Sequence, residues 1–299
     1  MRTIASCLAA LLLLAAAACG GESQAYEFRS KARAPSGEPV PFEYRPKEGD
    51  AFRMSMRVAG SFEMSVSKSR EKAPIEMSMR LAYRCEEVRP NGDARMSVTI
   101  EDAELQGLGA DATAGSLSGM GASFVMDKHG SVSSLAMVGV PESMREEFEG
   151  LLNQPGAQQF LVFPREGLRV GQAIDVAESF EASMGQGTFG ELGAGVKPTV
   201  RGEAVFVRTT VRDGEPAAEF ELNVVVNVKG KAPTEGRDVE VDFGFRVTGS
   251  QFVSIATGMP VGTVSMVVEG RGRVGAGREM SNFSMDMRVT GAVEKGPPK

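Results

Sequence analysis

The chain has 299 residues, enough for one large domain or two small ones, with 42% hydrophobic residues and a net charge of −6. That mildly acidic balance lacks the basic footprint of a nucleic-acid binder. Three cysteines, one histidine and no tryptophan leave little material for a disulfide framework or a histidine-rich metal site.

Met1-Arg2 gives a positive start, and an apolar run follows from Ile4 to Ala18. The run is shorter than the ~20 residues of a spanning helix and ends in small residues, the pattern of an export signal. Ala16-Ala17-Ala18-Cys19-Gly20 resembles a bacterial lipobox, with Ala where Leu usually stands three residues before the cysteine. That resemblance implies removal of residues 1–18 and a lipid anchor on Cys19. One acyl chain binds a bilayer only marginally, whereas several hold firmly. The anchor therefore implies a protein of the cell envelope, with the membrane as its partner. Gly20 instead of Asp points to the outer membrane if the host has two. No second apolar run is long enough to span a bilayer. A plain secretory signal that releases the protein free is the alternative.

With Cys7 in the signal and Cys19 acylated, Cys85 remains alone, so the mature chain has no intrachain disulfide. Cys85 falls in the apolar phase of an alternating run and reads as a buried, inert thiol. Residues 19–48 read as a flexible tether, since Pro35, Gly37, Pro39, Pro41 and Pro46 stand among mixed charges with little apolar periodicity.

From Asp50 the signal has period two. Phe52, Met54, Met56 and Val58 alternate with polar residues. Ile75 to Cys85, Ala94 to Ile100, Phe220 to Val228, Val239 to Val247 and Phe283 to Val289 do the same. Alternation predicts antiparallel strands with one face on a core and the other in water. Turns are expected at Pro90-Asn91-Gly92-Asp93, Asp213-Gly214 and Thr257-Gly258. One helix is expected over 141–153. Pro141 suits its first position, Met144, Phe148, Leu151 and Leu152 share a face, and Asn153, Pro155 and Gly156 end it.

The predicted fold is all-β, mainly antiparallel, with a curved sheet as a sandwich or half-barrel. The organisation is a signal at 1–18, a tether at 19–48, a first β unit at 49–140, a helix and connector at 141–170 and a second β unit at 171–295. Equal spacings from Gly49 to Gly92 and from Gly171 to Gly214 suggest an internal duplication. So do Gly121-Ala122-Ser123-Phe124-Val125…Gly130 and Gly249-Ser250-Gln251-Phe252-Val253…Gly258. Coincidence in a chain with 36 glycines is the alternative.

The methionine-rich strand after Gly49-Asp50, the hairpin Tyr83…Val88…Asn91-Gly92-Asp93-Ala94, the turn His129-Gly130-Ser131-Val132 and the stretch Phe163-Pro164…Val170-Gly171-Gln172 are similar to a family of bacterial lipoproteins known only as a domain of unknown function. The likeness covers most of residues 48–230. The chain departs from it at Gln172 and Ala173 and in lacking Trp. It implies a secreted, lipid-anchored protein and supplies no reaction.

No constellation of catalytic groups stands out, and the chain reads as non-enzymatic, with no cofactor or metal site. His129 sits in Asp127-Lys128-His129-Gly130, a turn, without a placed nucleophile and carboxylate. Ser65-Val66-Ser67-Lys68 matches Ser-x-x-Lys but lacks its companion elements. The Gly-x-Gly-x-x-Gly matches at Gly185-Gly187-Gly190 and Gly270-Gly272-Gly275 lack a strand–helix setting and read as loops. Met54/Met56, Met77/Met79 and Met285/Met287 place paired thioethers on one strand face. Copper(I) would suit such ligands, but each pair lies in an apolar stripe, so core packing is the preferred reading. Glu86-Glu87, Glu101-Asp102 and Glu146-Glu147 read as surface charge. Two functions follow: a lipid-anchored protein presenting a β domain for binding or assembly, or a carrier holding a lipid or other hydrophobic ligand between sheet and helix.

Overall fold

The computed structural model describes residues 25–66, 69–106, 117–142, 160–178, 196–234, 237–276 and 279–296. The signal, Cys19 and nearly all of the expected helix lie outside them. Only Pro141 and Glu142 of 141–153 are described.

Among the described residues thirteen strands follow in order: β1 (Ser36–Val40), β2 (Ala51–Val66), β3 (Ser69–Val88), β4 (Ala94–Gln106), β5 (Gly121–Met126), β6 (Val132–Val138), β7 (Leu168–Val170), β8 (Ala173–Asp175), β9 (Val196–Arg212), β10 (Glu215–Thr234), β11 (Arg237–Ser254), β12 (Pro260–Ala276) and β13 (Glu279–Lys295). Eleven form one open antiparallel sheet in the order β6-β5-β4-β3-β2-β13-β12-β11-β10-β9-β8, while β1 pairs with β7. The alternating runs of the sequence all lie within these strands, because period-two patterning commits one face of each to a common core.

The sheet contains two meanders, β2–β6 and β8–β12, laid in the same order with β13 between them. Their starts share a hydrogen-bonding pattern. Gly49 N–H donates to the Cys85 carbonyl and Cys85 N–H to that of Asp50; Gly171 N–H donates to Phe206 and Phe206 N–H to Gln172. The Asp50 carboxylate accepts from Lys47 N–H, as the Gln172 side-chain oxygen accepts from Arg169 N–H. One residue is bulged out just after each pairing, Glu86 in β3 and Val207 in β9. Gly49, Gly92, Gly130 and their counterparts Gly171, Gly214 and Gly258 all have positive φ.

The core lies on the inner face. At one end, Phe42 stacks on Phe163 at 5.1 Å and meets Phe206 and Phe220 edge-on at 5.4 and 5.5 Å. Phe160 links Tyr44 to Tyr83 and Phe124. The segments around Phe42 and Phe163 thus bridge the two meanders. At the other end, Phe283 packs between Phe62 and Phe243, and Phe243 against Phe245. Gly270 and Gly272 oppose this second cluster. A Cβ on Gly272 would lie 2.0 Å from the Phe243 Cβ. The Gly-x-Gly-x-x-Gly match at 270–275 is therefore part of β12 and not a loop, its glycines making room for rings. The match at 185–190 lies outside the described residues.

The expected tether is corrected over its described part, 25–48. Tyr26 lies on the outer face, where its N–H donates to Asn227 Oδ1 at 2.8 Å and its carbonyl accepts from Asn227 Nδ2 at 3.0 Å. Asn223 Nδ2 donates to the Arg29 carbonyl, Ser30 Oγ to Glu203, and Arg33 N–H to the Gly171 carbonyl. The chain then rounds the β8 edge through β1 and drives Phe42 and Tyr44, 1% and 3% exposed, into the core. Proline and charge hid this role because the segment is ordered by long-range contacts instead of by its own periodicity.

Candidate functional site

Between the two aromatic clusters the inner face is less tightly covered. Successive cross-strand rows place Met79 opposite Met56, Met77 opposite Val58, Val58 opposite Val289, and Val289 opposite Met266. The next row runs from Met287 to Val268 and Val247. All these side chains are half-buried, whereas Phe52, Leu81 and Tyr83 on one side and Phe62, Phe243 and Phe283 on the other are buried. No charged residue interrupts these rows, so the middle of the sheet presents a continuous apolar strip. Methionine thioethers are flexible and polarizable, which suits contact with irregular apolar shapes.

All three Met-x-Met pairs lie on this face. Met56, Met79, Met285 and Met287 pack against the main core cluster, and Met54 is within it. Among the described residues no three His, Cys, Asp or Glu side chains gather as a metal site.

His129 occupies the turn between β5 and β6. Its N–H donates to Asp127 Oδ1 at 2.9 Å, and its carbonyl accepts from Phe163 N–H at 2.8 Å. The turn holds the core-bridging segment in place. A Cβ at Gly130 would lie 2.4 Å from the Leu161 carbonyl oxygen, and one at Gly258 2.6 Å from that of Glu43. The Gly130 position is also 2.6 Å from Tyr44 Cε2, so one turn from each meander clamps residues 25–48, the strap, at close range. Cys85 is fully buried, and that burial pushes its thiol pKa up, which suppresses the reactive thiolate. Ser65 lies in β2, while Ser67 and Lys68 lie outside the described residues. Glu86 and Glu87 are exposed on β3, and Asp102 is exposed on β4. Glu101 is ion-paired with Arg53 at 2.7 Å, and Glu146-Glu147 lies outside the described residues. The inner-face strip was legible from the alternating methionines. The strap over the outer face was not.

Gly244 leaves a bare spot on that outer face. A Cβ there would come within 2.9 Å of Tyr26 Cδ2. Arg271 lies 4.5 Å and Arg246 5.5 Å from the Tyr26 ring centre. Burial raises the Tyr26 pKa, and the Arg271 charge opposes that shift. Val225, between Asn223 and Asn227 on the same face, is 2% exposed.

No family model matches the chain, and no curated protein matches it. Among solved structures it is similar to lipovitellin, described for its lipid–protein interactions, at 12% identity and a TM-score of 0.41, over 85% of this chain and 26% of that one. The chain thus spans about a quarter of the lipovitellin chain. It is similar to an outer membrane channel from Pseudomonas putida F1 at 9% identity and a TM-score of 0.25, over 87% of this chain and 100% of that one. A LolA-superfamily protein from Nitrosomonas europaea aligns at 10% identity and a TM-score of 0.16, over 87% of this chain and 90% of that one. At these scores the likenesses assign neither a function nor a location.

Proposed function

We propose that this chain is a non-enzymatic, lipid-anchored envelope protein whose β domain binds a hydrophobic ligand, such as an acyl chain, on the inner face of its sheet. The observation that carries the reading is the half-buried Met and Val strip, left between two closed aromatic clusters and free of charge. Burying about 300 Å² of apolar surface there would contribute about 7 kcal/mol before the costs of association. The anchor rests on the sequence from Met1 to Cys19, and the outer membrane is its expected site in a host with two membranes.

The test is native mass spectrometry with lipid extraction on protein purified from its own membrane, compared with Met266→Glu. A charge placed in the strip should release the ligand while the strand circular dichroism persists, since a buried unpaired carboxylate opposes an apolar ligand. A ligand-free wild type that also fails to bind a fluorescent fatty acid would end the carrier reading. A stoichiometric protein partner in the same preparation would favour an assembly role instead.

A further inference from the structure

Tyr26 stands seven positions after Cys19, with six residues between them. A fully extended chain of that length reaches about 25 Å at most. Tyr26 is fixed on the outer face by both hydrogen-bonding groups of the Asn227 amide, by the bare backbone of Gly244 and by the Arg271 guanidinium. The strap continues over Asn223 and Glu203 before it passes the β8 edge at Gly171. The leash of the anchor therefore begins on the outer face, above β10, β11 and β12, and the rest of the strap is already spent in crossing to the edge.

We propose that the polar outer face of the sheet, around Tyr26, Arg246, Arg271 and Ser284, is the surface held against the lipid headgroups, and that the methionine-lined inner face is directed away from that membrane. This rests on the reading of Cys19 as the lipid anchor. Tyr26 lies about three strand spacings, ~14 Å, from the β8 edge, and a sheet layer is ~10 Å deep. Reaching the middle of the inner face, five strand spacings in from that edge at β13, takes roughly 45–50 Å by that route, beyond the leash. Charge does not set the orientation: Glu269 and Asp286 stand beside Arg246 and Arg271 around Tyr26. The face preference is thus mechanical, and raising the salt does not erase it. A ligand on the inner face is presented to the aqueous space and to whatever partner approaches from there.

The chain lacks tryptophan, so single reporters can be placed. Ser284 is exposed on the outer face, directly beside Arg271, and Met266 is half-buried on the inner face. Full-length acylated protein carrying Ser284→Trp or Met266→Trp is reconstituted in phosphatidylcholine vesicles that contain a dansyl-headgroup lipid. Energy transfer is expected to be several-fold greater from position 284 than from 266, at low and high salt alike. Inserting about twenty Gly/Ser residues between Gly20 and Gly21 should remove the difference while the protein still floats with the vesicles. Equal or reversed transfer in acylated, floating protein would overturn the orientation, as would a preference unchanged by the longer leash. Loss of flotation with an unmodified mass at Cys19 would instead overturn the anchor itself, so the two failures are distinct. Asn227→Ala frees Tyr26 without touching either reporter and should narrow the difference; no narrowing counts against the strap as the fixed point.

Discussion

Phe42→Ala distinguishes a strap that is part of the fold from a passive tether. Phe42 is 1% exposed and packs against Phe163, Phe206 and Phe220 with ring centres 5.1, 5.4 and 5.5 Å away. Truncating a buried phenylalanine costs about 3–5 kcal/mol through lost transfer energy and the cavity left behind. Phe163 and Phe220 also pack against each other at 5.9 Å, so they support one another and cannot freely collapse into the gap. We therefore expect a loss of about 4 kcal/mol, near the middle of that range. In a domain of this size each kcal/mol moves the melting temperature by about 2–4 °C, so the midpoint should fall by roughly 8–16 °C. Urea and thermal unfolding of an unacylated form beginning at Gly20, followed by far-ultraviolet circular dichroism, measures both quantities. Glu38→Ala, at an exposed position in β1, is the matched control and should stay within about 0.5 kcal/mol of wild type. A Phe42→Ala protein within about 1 kcal/mol of wild type would show that residues 41–45 do not belong to the cooperative core.

The other expectations follow from close contacts and titration. Gly272→Ala should cost about 1–3 kcal/mol or prevent folding, since its Cβ would lie 2.0 Å from that of Phe243; urea unfolding reads the loss. Asn227→Ala should speed tryptic cleavage at Arg29 and Lys31 with little change in the global midpoint, because the strap's outer-face contacts are polar and peripheral. Tyr44 is buried and its hydroxyl donates to the Leu161 carbonyl at 3.0 Å; burial raises its pKa far above that of an exposed tyrosine. The unfolded chain ionises near pH 10 while folded Tyr44 stays protonated, so its contribution is intact below about pH 10 and falls by about 1.4 kcal/mol per pH unit above it. Tyr44→Phe should be less stable by about 1–2 kcal/mol at pH 8 yet lose that share of the alkaline slope, as urea midpoints from about pH 8 to 11 would show.

What the sequence reveals is the part of the fold written in local periodicity. Phe52–Val58, Ile75–Cys85, Phe220–Val228 and Phe283–Val289 each announce a strand, because every second side chain must reach the same core. β12 was harder to read. Its inner positions at the second aromatic cluster are Gly270 and Gly272, small because Phe243, Phe245 and Phe283 fill the space, so the large residues that would mark its rhythm are missing. β9 is obscured in the same way by Pro198, Gly202 and Ala204 along its inner face. Tyr26 and Asn227 meet across 201 positions of sequence, and no local pattern encodes such a pair. Phe42 and Tyr44 sit among prolines and charges, where composition alone argues for a loose linker.

The repeated construction explains why so much rests on that strap. In each meander a left-handed glycine starts the first strand and a second shapes the hairpin that follows the bulge. A third lets its turn approach the bridging segments, and at Gly130 and Gly258 the bridged segment is the same one, Glu43-Tyr44. Two similar β units could each close a small core of their own. Here they share one, because Phe42 and Tyr44 enter between them and Phe160 and Phe163 complete the cluster. The strap therefore joins the halves at one end of the inner face, while the rows of Met56, Met77, Met79 and Met266 remain half-buried beyond it. A sheet closed along its whole length would leave no strip for a ligand, and a sheet without the strap would lack the contacts that fix its two halves around that strip. The polar contacts of residues 26–33 on one face and the aromatic contacts of residues 42–44 on the other make a single segment both the link to the proposed anchor and a structural part of the β domain.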